Sequence, residues 1–469
     1  MKCVSVWNCP SIATGMRSKS KPGIFLGAAL LACAALVCSS NPAMAQAGRL
    51  DPTFGTGGVF TDSAGEFDNT GTSGDAVALQ SDGRIIAAGQ FGFAAGAVRL
   101  NANGTLDSSF GTGGMVTINF PGSNNGPAQV IGLAVQTDGK IVAGISTANA
   151  DGNPQFVLAR LNPDGTLDTA FGSGGVVETQ IGSNGIAAST LALQSDGKIL
   201  LAGSRAMARY DTTGQLDSTF GSGGIVAISA FAPTAMALQP DGKILIAAGG
   251  VAPGGLTTPP GTGLASPAGA ISRYNKNGSV DTSFGISGQA ASLAAASAIA
   301  VQIAGGCVST CKILVAGTVV SSLSVNAGND VGFGLVRFNS NGSVDTTFGK
   351  HGGVITGFTA TGPFASAFAL VLQTNGDIVA AGSAGQAATG FSAIPADFAL
   401  ARYSSTGVLD TTFGSGGRAT TAFGSNQASI YALVLQSNGA IVAVGSSQEN
   451  AVNPGAQIGG LVVARYLGQ

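Results

Sequence analysis

The sequence predicts an all-β fold: a seven-bladed β-propeller of about four antiparallel strands per blade, closed by pairing of its N- and C-terminal strands. Three observations predict it. The phrase Leu/Val-Asp-x-x-Phe-Gly occurs seven times, starting at Leu50, Leu106, Leu167, Leu216, Val280, Val344 and Leu409. The intervals between successive copies are similar in length, and recurrence near a fixed period marks an array of supersecondary units. Each unit holds about four short apolar runs separated by turn residues, and no helical period interrupts them.

The chain opens with a segment that does not belong to the array. Arg17, Lys19 and Lys21 precede an apolar run from Ile24 to Val37, and Ala43-Met44-Ala45 supplies small residues at a cleavage position. Residues 1–45 are therefore expected to be a secretory signal peptide, with Gln46 the first mature residue and 46–469 the propeller. A lipoprotein leader ending at Cys33, after Leu30-Leu31-Ala32, is the weaker alternative, because apolar residues continue beyond it. The run is too short for a comfortable membrane span, and no later stretch is long and apolar enough for one. The expected location is periplasmic or extracellular.

Within the array the strands follow in order. A first strand, a, succeeds each Phe-Gly, as in Gly175-Val-Val-Glu-Thr179. Strand b leads to a glutamine, at Gln80, Gln136, Gln194, Gln239, Gln302, Gln373 and Gln436. Ser195-Asp-Gly-Lys198 then turns into strand c, and Asp-Gly between apolar runs signals a hairpin with a primed turn. Strand d, as in Phe398-Ala-Leu-Ala-Arg-Tyr403, alternates large and small side chains with period two. It carries an arginine, at Arg99, Arg160, Arg209, Arg273, Arg337, Arg402 and Arg465. Units of this size are too small to bury a core each, so they must share one, and radial stacking does so while hiding sheet edges.

The chain ends point to closure. Six of the arginines are followed, always at the same short interval, by an aspartate: Asp107, Asp168, Asp217, Asp281, Asp345 and Asp410. Arg465 has no aspartate after it and Asp51 has no arginine at that interval before it, so these two are expected to meet and complete the seventh hairpin. The constant spacing predicts one structural ion pair per blade. The reading of the arginines as an anion-binding ring in a central channel is disfavoured by the acid at fixed distance. The phenylalanines Phe54, Phe110, Phe171, Phe220, Phe284, Phe348 and Phe413 are expected to wedge between blades.

The Asp-x-x-Phe-Gly phrase, with the Gln-x-Asp-Gly-Lys hairpin or a variant of it in each unit, resembles the delta-60 repeat family of bacterial proteins over essentially the whole mature chain. The resemblance implies an all-β, propeller-like exported protein and no particular activity or ligand. Three units depart from the pattern. The fifth replaces the hairpin with Ile303-Ala-Gly-Gly-Cys-Val-Ser-Thr-Cys311, and the sixth and seventh use Asn375-Gly376 and Asn438-Gly439. Cys307 and Cys311 are expected to form a local disulfide across the fifth turn; the other cysteines, Cys3, Cys9, Cys33 and Cys38, lie in the leader.

Composition narrows function. The net charge is −2 and charged residues are 9% of the chain, so there is no basic field for nucleic acid. No cofactor or metal site is expected. His351 is the single histidine, which rules out a histidine-rich metal site and leaves it as the sole base for a histidine-assisted triad. Gly172-Ser-Gly-Gly175 lacks the following Lys-Ser/Thr of a phosphate loop. Trp7, in the leader, is the one tryptophan, which weighs against stacking sites built on tryptophan. In a meander, the constant b–c and d–a turns leave one face and the variable a–b and c–d loops the other. Variable loops on a rigid scaffold carry binding sites. Examples are Thr61 to Asp75, Phe120 to Pro127, Gly249 to Ala268 and Gly382 to Asp397. The favoured reading is a non-enzymatic scaffold holding an unknown protein or glycan on that face. A hydrolase or lyase using Glu66, Asp68 or Glu178 there is an alternative; a weak calcium site at Glu66, Asp68 and Asp75 is a further one. A third class is a purely structural envelope or matrix protein with no site.

Overall fold

The structure, a computed structural model, describes residues 46–61, 72–119, 127–228, 233–249, 269–293, 295–303, 305–320, 331–358, 364–385, 396–423, 427–449 and 458–469. The expected leader, Glu66 and Asp68, and most of the variable loops lie outside the described residues. Among the described residues every regular element is a strand, and no helix is long and apolar enough to cross a membrane.

Five sheets have four strands each. The third unit is representative: Ala188–Leu193, Ile199–Gly203, Ala206–Tyr210 and Ile225–Ala227 form an antiparallel meander in that order. An eight-stranded sheet comprises two further meanders joined by a single parallel bridge from Ala396 to Gln427. One of these meanders takes its outermost strand from the other end of the chain: Val59–Thr61 pairs with Ile458–Tyr466, with Val59 opposite Ala464 and Thr61 opposite Val462.

The strand order fixes the phase that the repeat by itself leaves open. The strand after Phe-Gly is the outer strand of the unit whose arginine strand precedes it, so each sheet runs b-c-d-a. The Arg-to-Asp step is a tight hairpin, in which Leu161 bridges Leu167, and it holds the next strand on the same sheet. The a–b segment makes the crossing to the next unit.

The turn type is corrected. Gln194 N–H donates to Lys198 O and Gly197 N–H to Gln194 O. Only Gly197 in this turn has positive φ, at 83°. This is a three-residue loop, a type I turn followed by a left-handed glycine, and not a two-residue primed turn. The d–a turn is built alike, with Asn162 N–H donating to Thr166 O and Gly165 N–H to Asn162 O.

Apart from the arginine of strand d, the middle strands are largely apolar because both of their faces are covered. Ile199–Gly203 and Ala206–Tyr210 are buried at every position. The large–small alternation of strand d divides its side chains between two cores. Phe398 and Leu400 join one apolar cluster, while Ala399 and Ala401 join another. Apart from the pair Ala248 and Ala270 within the fourth unit, each cluster draws on two neighbouring units. Leu200 and Met207 of the third unit pack with Ile244 and Ile246 of the fourth. Val442, Val444 and Val463 of the seventh pack with Ile85, Val98 and Leu100 of the first.

Candidate functional site

The expected polar residues gather into repeated nodes on the edge that carries the b–c and d–a turns. At Arg160, Nε lies 2.7 Å from Asp168 Oδ2. The guanidinium carbon stands 4.3 Å from the Phe171 ring centroid. Nη1 donates at 2.6 Å to the carbonyl of Thr212, in the d–a turn of the following unit. Arg99–Asp107, Arg209–Asp217, Arg273–Asp281, Arg337–Asp345 and Arg402–Asp410 pair at 2.7–2.9 Å. Arg465 and Asp51, from opposite chain ends, pair at 2.8 Å. The remaining arginines lie over Phe110, Phe220, Phe284, Phe348, Phe413 and Phe54 at 4.5–4.9 Å, a cation–π geometry. All seven phenylalanines are fully buried.

Every arginine also reaches the next unit. Arg99, Arg209, Arg273 and Arg337 donate to the carbonyls of Pro163, Lys276, Ser340 and Ser405. Arg402 donates to Gly468 O, and Arg465 to Ala102 O in the first unit. The glycine of each Phe-Gly repeats the link: Gly172 N–H donates to Thr213 O, Gly414 to Ala47 O and Gly55 to Asn103 O. The seventh turn is assembled from two chain ends. Gly48 N–H donates to Leu467 O and Leu467 N–H to Arg49 O, at 2.7 and 2.8 Å, the same two bonds that close the turn at Asn162.

A further cation was not legible as part of this site. Arg84, Lys140, Lys198, Lys243 and Lys312 each lie 2.8–3.0 Å from the node aspartate of their own unit. Asp377 and Ala440 occupy the corresponding places in the sixth and seventh units. The constant Lys/Arg after Asp-Gly was the available signal. The electrostatics follow. Burial pushes the Asp345 carboxyl up, but hydrogen bonds from Thr347 and Lys312 outweigh it and hold the group at about 2. Asp217 is held well below the ordinary carboxylate range by the Thr219 hydroxyl, against burial, and then by Lys198. In Asp168 the Lys140 bond is the foremost cause of lowering. Chemically, the guanidinium donors are directed at acids, hydroxyls and carbonyls of the protein, an arrangement that ties neighbouring units together.

The other candidates do not converge. Asp75 lies in the first unit, where burial pushes its carboxyl up against hydrogen bonds from Ser73 Oγ at 2.6 Å and the Gln129 side chain. Glu178 lies opposite Val157 on the outer strand of the second unit, also raised by burial. No described contact joins the two. Among the described residues no group of His, Cys, Asp or Glu could hold a metal ion. His351 is exposed on a turn with φ of 54°. Cys307 and Cys311 are disulfide-bonded. A cavity lined by Gln194, Asp196, Lys198, Gln239 and Lys276 has a volume of about 660 Å³ and lies on the constant-turn edge between the third and fourth units.

Six segments, 80–110, 136–171, 194–220, 261–284, 312–348 and 373–413, match a β-propeller domain of unknown function, DUF5122. The chain carries a β-propeller domain. Five of the segments lie between the hairpin phrase and the phenylalanine of a node, and so cover strands c and d. No curated protein matches the chain. Among solved structures, the propeller is similar to virginiamycin B lyase from Staphylococcus aureus, at 11% identity and a TM-score of 0.46, over 86% of this chain and 98% of that one. It is similar to Drosophila Plexin A in complex with Semaphorin 1b, at 12% identity and a TM-score of 0.41, over 89% and 88%. A protein of unknown function from Dyadobacter fermentans aligns at 10% identity and a TM-score of 0.39, over 87% and 99%. Likenesses this distant carry no argument about the propeller's chemistry.

Proposed function

We propose that this is an exported, non-enzymatic seven-bladed propeller of the delta-60 repeat type, closed by its two chain ends, which holds a protein or glycan partner on its a–b and c–d loop face. The observation that supports the reading best is the contrast between the two edges. On one, the Arg-to-Asp step keeps a single length and the node donors are directed to neighbouring units. Apart from the longer b–c turn of the fifth unit, the other edge absorbs the variation in repeat spacing, which is shortest between Asp168 and Asp217 and longest between Asp345 and Asp410. A scaffold whose constant edge is committed to its own cohesion leaves the variable edge for recognition. Closure is supported by the pairing of Val59–Thr61 with the last strand and by the bond from Arg465 to Ala102. Export is supported by the basic and apolar run before Ala45.

The test uses residues 46–469 applied to a glycan array and to purified envelope proteins. Loops 250–268 and 386–395 are replaced, one at a time, by short Gly-Ser linkers. We expect at least one replacement to abolish binding with an unchanged melting temperature. Binding that survives both replacements, or that disappears only when a node is broken, would overturn the reading. Sequencing of the exported protein is expected to begin at Gln46.

A further inference from the structure

Each inner strand contains one residue too many. In the fourth unit Pro233 pairs with Ala248 and Ala235 with Ala247, which leaves Thr234 unpaired. The same slip leaves Ile131, Ser189, Ser297, Phe368 and Tyr431 unpaired in the second, third, fifth, sixth and seventh units. In the first unit Thr72 bridges Phe91 whereas Ala76 pairs with Ala88, so the register slips by one there too. Asp75 holds the place, at the same interval before the hairpin glutamine as in the other six units. The bulge is tightly built. A Cβ at Gly89, Gly203, Gly317, Gly382 or Gly445 would lie within 2.0 Å of the carbonyl oxygen two residues before the extra residue. A bulge re-aims the side chain of its extra residue. All seven are partly or fully exposed, although the residue before each is buried.

Most positions of the array repeat the same chemistry in every unit, and this one does not. It carries hydroxyls in the third to fifth units, aromatic rings in the sixth and seventh, and a carboxyl in the first. The Phe368 and Tyr431 rings meet with centroids 5.6 Å apart, and Tyr431 is 39% exposed. Asp75 immediately precedes the inner strand of the first unit, which packs against the seventh unit that carries Tyr431: a Cβ on its neighbour Gly74 would lie 2.7 Å from Gly445 O, and Gly445 pairs with Ile430. Among the described residues no cation pairs with Asp75. The Ser189, Thr234 and Ser297 hydroxyls donate to the carbonyls of Ala202, Ala247 and Ala295, which leaves their lone pairs as acceptors.

We propose that these seven residues line the inner wall of the ring and bind an organic cation, a protonated or quaternary amine, seated on Phe368 and Tyr431 and balanced by Asp75. The inference rests on the closed seven-unit ring proposed above. The offered groups are π faces, lone pairs and one carboxylate, and the Tyr431 hydroxyl is the single free donor among them. A ligand complementary to that set brings positive charge and donors of its own. Aromatic faces favour such cations, and more so once water is excluded.

The experiment is calorimetric titration of residues 46–469 at low ionic strength with choline and with tetramethylammonium, using glucose and acetate as comparators. Saturable binding of a cation is expected, with no binding of glucose or acetate. Tyr431→Ala and Phe368→Ala should each weaken it about 5- to 30-fold. Asp75→Asn, which keeps the side-chain shape, should weaken it about tenfold or more without lowering the melting temperature. Hydrogen exchange of the Val59–Thr61 amides is measured on the same sample. Slow exchange with no cation binding, with equal glucose binding, or with wild-type affinity in the Asp75 and Tyr431 variants, overturns the cation site and leaves the ring standing. Free exchange of those amides removes the ring, and the site with it.

Discussion

Replacing the node aspartate in two different units separates the contribution of the second cation. Asp281 accepts from Arg273 Nε at 2.7 Å and Lys243 Nζ at 2.8 Å, and its side chain is 8% exposed. Asp410 accepts from Arg402 at 2.7 Å, has no lysine, and is 22% exposed. Asp281→Asn leaves two cations without their counter-charge. Breaking a buried pair on one side costs about 3–5 kcal/mol, because the remaining charge stays desolvated. Asp410→Asn strands one cation at a wetter site, so its cost should be nearer about 1–3 kcal/mol. The difference of about 2 kcal/mol corresponds to about 2 °C in melting temperature, at about 2 cal/mol/K of unfolding entropy per residue. Scanning calorimetry at pH 7 and low salt, with urea titration as a second measure, reads both variants. Adding Lys243→Met to Asp281→Asn should bring its cost down towards that of Asp410→Asn. If the two single variants agree within about half a kcal/mol and Lys243→Met changes neither, the lysines are solvated bystanders and the three-membered node is wrong.

Further outcomes follow from the same geometry. The node carboxyls have lowered native pKa values, so their stabilisation is complete above the unfolded value near 3.8 and is lost as pH falls towards about 2, the value held by Asp345; the melting temperature should drop steeply below pH 4. Asp75, Asp397 and Glu178 are raised by burial and act in the opposite sense, so Asp75→Asn should flatten the loss of stability on the alkaline side of pH 4. Gly468→Ala places a Cβ 1.8 Å from Gly439 O in the turn that joins the chain ends, and should lower the melting temperature and speed exchange of the Val59–Thr61 amides; an unchanged melt would mean that the joint contributes nothing. His351 holds a left-handed backbone where the first unit has Gly113, whose Cβ position is empty within 4 Å. His351→Gly should therefore stabilise by up to about 1 kcal/mol in urea unfolding.

What the sequence made legible depended on whether a contact was local. Arg160 and Asp168 stand at the same short interval as their counterparts in every complete copy, so their meeting could be inferred from spacing alone, and the orphan pair Arg465 and Asp51 by elimination. Lys140 and Asp168 are 28 residues apart, and Lys243 and Asp281 are 38. Loop length varies between them, so constant contact hides behind inconstant spacing. The carbonyls of Thr212 and Ala102 carry no side-chain signature at all. The phase of strand a escaped for a different reason: alternation identifies a strand's two faces but not the sheet that receives it.

The bulge was missed because a period-two reading assumes an unbroken ladder, although its trace was present. A glycine recurs in strand c at Gly89, Gly203, Gly317, Gly382 and Gly445, and Gly144 stands one residue earlier in its unit. Five of these lie directly against a carbonyl displaced by the extra residue. In a repeat array, a glycine kept opposite a position of changing chemistry separates what holds the backbone from what that backbone presents. By that criterion Asp75, Phe368 and Tyr431 stand apart from the arginine nodes, whose chemistry is the same in every unit because every junction needs it.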